Sequence, residues 1–182
     1  HPIVPTEVGA MILQQAQVVM FNVHQLKENV LTQKGSVAGS LSLAIIPTVA
    51  PYLLPELITL FRRDYVDISL KISEMRTETI IEKLHSAEID MAILSTPLDD
   101  PKILEVPLYY EKFVAYISPN EPLYLQDEVS TNDMQLDHLW VLEEGHCLRN
   151  QVFNFCKNKT HSAIYEAGSI DTLVKIVDRN GG

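Results

Sequence analysis

The sequence predicts an α/β protein: one long helix, one strand-and-helix subdomain, then the opening of a second. Three observations carry that expectation. Residues 8–30 repeat their apolar positions at helical spacing. Residues 41–94 alternate short apolar runs with amphipathic stretches, strand then helix then strand, twice over. The same alternation restarts at Trp140, past a break at Ser118-Pro119-Asn120-Glu121-Pro122.

The first helix has its start signals in place. Thr6 can act as N-cap, with Pro5 before it and Glu7 in the first turn. Val8, Ile12, Val19, Val23, Leu26 and Val30, with Gln15 in the gap, form a seam close to heptad spacing, and Gly35 and Gly39 end it. Such a helix either lies on its own domain or dimerises. Dimerisation is the preferred reading, because no preceding domain in this sequence can receive the stripe.

Residues 41–46 read as a buried strand, and 51–64 as a helix with Leu53, Leu54, Leu57 and Leu60 on its apolar side. Residues 66–72 alternate as a half-buried strand. Residues 77–86 are helical, with Ile80, Ile81 and Leu84 inward, and 89–94 are another buried strand. Two consecutive strand-helix-strand units predict a parallel sheet with right-handed crossovers. Residues 106–110 and 112–117 are strand-like. Residues 140–142 form a short strand leading into a helix that carries both cysteines, followed by a strand at 162–165 and a helix at 170–179. The expected divisions are a linker helix (1–35), a first subdomain (36–118) and a second, incomplete one (119–182). The sequence ends on Asn180-Gly181-Gly182, a turn signal with no strand to close the unit.

Composition narrows the function. The 182 residues are 46% hydrophobic, enough for one good core or two small ones. A net charge of −10 argues against this polypeptide gripping a nucleic-acid backbone by itself. No apolar run reaches the roughly 20 residues of a membrane helix, and the opening residues are no signal peptide. The expected compartment is the cytoplasm, where thiols are normally reduced.

The two cysteines stand nine positions apart, in Gly145-His146-Cys147-Leu148-Arg149-Asn150-Gln151-Val152-Phe153-Asn154-Phe155-Cys156. Nine helical steps separate the side chains by about 13 Å and turn them to opposite faces. A disulfide needs Cα atoms within about 7 Å, so joining them requires the helix to unwind. Cys147 falls in the first turn, where backbone N–H groups favour an anion; His146 and Arg149 can add charge or donors, while Glu143 and Glu144 oppose them. Cys156, between aromatic neighbours, reads as buried. The competing readings are two small core residues, a zinc site of His146, Cys147, Cys156 and His161, and a cysteine hydrolase. The zinc spacings match none of the usual ligand patterns, and adjacent His146 is poorly placed as a base. Thr48, before a strand-to-helix turn, reads by itself as a helix cap.

Several segments resemble a known family. Residues 46–55, Ile-Pro-Thr-Val-Ala-Pro-Tyr-Leu-Leu-Pro, resemble the opening of the regulatory domain in LysR-type transcription regulators. Gly145 to Arg149, then Gln151, then Phe155-Cys156, resemble the redox segment of that family's hydrogen-peroxide-sensing, OxyR-type members. Residues 5–9 resemble the passage from the family's winged helix-turn-helix into its linker helix.

The resemblance implies two Rossmann-like subdomains of the periplasmic-binding-protein type, and a cytoplasmic homodimer or homotetramer. It implies Cys147 as the peroxidatic thiol and Cys156 as the resolving one, with Thr48 and Thr77 as peroxide-site donors and His146 and Arg149 as neighbours tuning the thiol. No metal and no cofactor are implied. The implied partners are hydrogen peroxide, a thiol reductant such as glutaredoxin or thioredoxin, RNA polymerase, and DNA only through an N-terminal domain not present in this sequence. An arginine that the family brings to the peroxide from its late region is also missing, and residues 157–160 form a short loop for the family. The expected function is therefore a redox switch controlling oxidative-stress genes, not an enzyme. The alternatives are a metabolite-binding effector domain with inert cysteines and an acyl-transfer enzyme using Cys147.

Overall fold

A computed structural model describes residues 4–32, 38–130, 132–133, 139–155 and 165–182. The chain divides into two units: residues 1–94 with 99–103, and residues 95–98 with 104–182.

In the first unit, helix α1 spans Glu7–Thr32, and Thr6 caps it, its Oγ1 accepting from the Gly9 N–H at 3.1 Å. The seam is not covered: Val8, Ile12, Val19, Val23 and Leu26 are all exposed. Behind α1 come β1 (Gly39–Ile45), α2 (Ala50–Asp64), β2 (Ile68–Glu74), α3 (Thr77–His85) and β3 (Met91–Ile93). The three strands form one parallel sheet in the order β2-β1-β3. Central β1 is the most apolar, as a strand between two neighbours and under helices should be. Leu43, Ala44, Ile45 and Ile46 are buried, joined by Ala50 of α2, Ile80 of α3 and Ile89.

Beta-strand β2 begins two residues later than its alternation suggested, because Gly39 pairs with Ile68 and the ladder starts there. Val66 and Asp67 form the turn into it. The runs 106–110 and 112–117 are not strands. Val106, Leu108, Tyr110 and Val114 carry strand-like side chains but are exposed, and no backbone among the described residues pairs with theirs.

The second unit is another strand-helix-strand. Strand β4 (Trp140–Leu142) leads to α4 (Cys147–Phe155), and β5 (Tyr165–Ala167) returns parallel to β4. Helix α5 (Ile170–Asn180) follows, capped by Ser169, whose Oγ accepts from the Thr172 N–H at 3.2 Å. Val141, Leu142 and Val177 form its small core. Trp140 stacks on Tyr165 with centroids 4.4 Å apart and donates from Nε1 to the Gly181 carbonyl at 3.2 Å. These contacts fix β5 against β4 and anchor both to the end of α5.

Candidate functional site: a thiol at the head of a helix

The cysteine segment is built on the end of β4. The chain leaves Leu142 through Glu143-Glu144-Gly145. Gly145 sits at φ +93°, a left-handed conformation that side chains resist, so glycine makes the reversal here. His146 follows and is buried, at 5% exposure. Cys147 is then the first residue of α4, a free and half-buried thiol. Its position puts it among the N–H groups that a helix leaves unpaired at its start, at the positive end of the helix dipole. The Arg149 N–H donates to the His146 carbonyl at 3.1 Å, closing the first turn.

Helix α4 is tied down by two side chains. Gln151 Nε2 donates to Ser95 Oγ at 2.8 Å. Arg149 lies 2.8 Å from Glu166 Oε1 through Nη2, and its guanidinium carbon sits 5.2 Å from the Phe153 ring centroid. The Arg149 Nη1 is buried with no hydrogen-bond partner among the described residues. Residues two apart on a helix do not face each other, so Arg149 leaves α4 away from the Cys147 side. Cys156 and His161 lie outside the described residues.

The two threonines belong to the first unit. Thr48 lies in the turn between β1 and α2, but it is not the cap: Val49 holds that position and no side chain caps α2. Thr77 opens α3, and its Oγ1 is buried without a hydrogen-bond partner among the described residues. Thr48 and Thr77 follow adjacent parallel strands, so both stand at the carboxyl edge of the sheet, where open α/β sheets hold their ligands. His146, Cys147 and Arg149 belong to the second unit.

Among the described residues no group of three or more His, Cys, Asp or Glu side chains could hold a metal ion. No described helix is long and apolar enough to cross a membrane. Sequence reading did not find Glu166 or Ser95, and it singled out Gln151 only as part of the resembling segment. Glu166 is 17 positions from Arg149 on another element, and no local spacing rule links them.

Comparison with known proteins identifies the family. The family model described as LysR substrate binding domain matches residues 34–182. A hydrogen peroxide-inducible genes activator of Haemophilus influenzae is 31% identical over 97% of this chain and 60% of its own length. The Escherichia coli dual regulator OxyR is also 31% identical, over 97% of this chain and 59% of its length. The chain thus spans about 60% of the curated relatives it matches. Among solved structures, OxyR from Porphyromonas gingivalis (mutant form) is 37% identical, with a TM-score of 0.72 over 79% of this chain and 67% of that one. A peroxide-bound OxyR mutant from Corynebacterium glutamicum is 26% identical, with a TM-score of 0.73 over 94% of this chain and 55% of that one. The fold is that of periplasmic-binding-protein-like regulatory domains, and this chain belongs to the family of LysR substrate-binding domains.

Proposed function

We propose that this chain is the linker helix and much of the regulatory domain of a transcription regulator that senses hydrogen peroxide through a reversible Cys147–Cys156 disulfide. One observation carries the reading: Cys147 opens an α-helix that runs unbroken to Phe155. Eight helical steps hold its end Cα atoms about 12 Å apart. One further step of about 3.8 Å cannot bring the next residue within the roughly 7 Å that a disulfide allows. Forming the bond therefore requires α4 to come apart.

The chemistry balances without a cofactor. The Cys147 thiolate attacks one peroxide oxygen, the O–O bond breaks, and the departing hydroxide takes a proton to become water. Cys147 is left as a sulfenic acid. The Cys156 sulfur displaces its hydroxyl, forming the S–S bond and a second water. Two thiols are oxidised by two electrons, and a dithiol such as thioredoxin or glutaredoxin returns them. Thr48 and Thr77 are the peroxide-site donors in this proposal, and the unpartnered Thr77 hydroxyl supports that role. His146, next to Cys147 and buried, and Arg149, which reaches Glu166 rather than the thiol, are the neighbours that tune Cys147 in this proposal.

The exposed seam of α1 supports a homodimer or homotetramer built on the linker helix. The divisions proposed are 1–35, 36–118 and 119–182. Unwinding α4 repacks the assembly and repositions DNA-binding domains supplied by the rest of the protein, in the cytoplasm and within reach of RNA polymerase.

Mass spectrometry of the full-length protein after one equivalent of peroxide tests this. A loss of two hydrogens, absent in both Cys147→Ser and Cys156→Ser, is expected. An unchanged mass over minutes eliminates the switch and leaves the metabolite-binding reading.

A further inference from the structure

We infer that Glu166 is a positioning residue for the switch: through Arg149 it holds α4 in the form that keeps the thiols apart, and so sets how readily they oxidise. The inference rests on the peroxide-sensing reading above.

The pair joins two elements, α4 and β5, that residues 156–164 separate in sequence. Arg149 is the third residue of α4, within the turn that opens with Cys147. Its Nη2 meets Glu166 Oε1 at 2.8 Å, and its side chain is only 19% exposed. Glu166 sits in the middle of β5, in register with buried Val141 on β4. Its strand neighbour Tyr165 is stacked on Trp140. The catch is thus mounted on a fixed strand, while the arginine rides on the element that changes. The Phe153 ring, one helical turn beyond Arg149, braces the guanidinium only while the helix exists.

Unwinding separates Arg149 from both supports. With Nη1 already unpartnered among the described residues, Arg149 depends on Nη2 for the carboxylate contact on β5. The pair therefore favours the dithiol form. Removing it favours the disulfide and makes the couple more reducing, because whatever stabilises the reduced state raises a reduction potential.

The test is a redox titration of the full-length protein against a defined dithiothreitol couple, with thiol trapping of Cys147 and Cys156. Glu166→Gln keeps the shape and removes the charge. It is expected to raise the oxidation equilibrium about threefold to tenfold, a potential about 15–30 mV more negative. The same substitution in an Arg149→Met background is expected to do nothing further, since the effect runs through that arginine. The difference should shrink at about 1 M salt, where a half-exposed pair is screened. An unchanged potential in Glu166→Gln, or an equal shift with and without Arg149, overturns the assignment. If the wild-type protein forms no Cys147–Cys156 bond, the peroxide-sensing reading itself fails, and that result is seen before any variant is compared.

Discussion

A substitution that changes only how well α4 holds its helical form should change the redox equilibrium. Asn150 is suited to this. It is the fourth of nine helical residues and is exposed, so replacing it removes no core packing. Alanine at an exposed helical site is favoured over glycine by about 1 kcal/mol. If the dithiol form contains the helix and the disulfide form does not, that difference enters the redox equilibrium in full. It amounts to about fivefold, or about 22 mV for a two-electron couple. Asn150→Gly should be oxidised more readily than Asn150→Ala, with the more negative potential, and the natural asparagine should fall between them. Thiol trapping across a dithiothreitol or glutathione redox series reads this directly. Equal potentials for the glycine and alanine variants would mean that the helix survives oxidation, and the reasoning from its geometry would be wrong.

Further outcomes follow from other parts of the chain. Thr77→Val removes an unpartnered buried hydroxyl, so folding stability should hold or rise while oxidation by peroxide slows at least about tenfold in stopped-flow measurements. Ile80, fully buried under the first sheet, should cost about 2–5 kcal/mol on truncation to alanine, read by urea unfolding. Ser169→Ala removes the cap of α5 and should cost about 1 kcal/mol in the same assay. The Asp100 carboxyl is held below its ordinary range, first by the Lys102 N–H at 3.0 Å and then by His85 Nε2 at 2.7 Å. A depressed native pKa stabilises the folded form above about pH 3.9 and is lost as pH falls through the native value. Asp100→Asn should therefore flatten the acid limb of a stability-against-pH curve.

Much of the architecture was legible because its causes are local. The cap at Thr6, the helices over residues 50–64 and 77–85, and the central strand each have a periodicity that a short window contains. The start of β2 was not legible, since alternation at Val66 and Ile68 looks the same whether or not a neighbour pairs there. Only the ladder to Gly39 sets the boundary. Residues 106–117 failed for the same reason: β-branched and aromatic side chains suit a strand, but a strand exists only where a second backbone meets it. At the site, the place of Cys147 at a helix start followed from Gly145 and the apolar spacing after it. The Arg149–Glu166 contact did not, because it depends on β5 returning beside β4. Residue type alone suggests a cap at Thr48, whereas the turn puts Val49 at that position.

The most direct test follows the backbone of residues 151–155, whose N–H groups donate back along α4. Amide hydrogen exchange on the full-length protein, before and after one equivalent of peroxide, reports whether those bonds persist. Protection in the dithiol form that is lost once Cys147 and Cys156 are joined is the predicted result. A disulfide between them with the protection of residues 151–155 intact would contradict it.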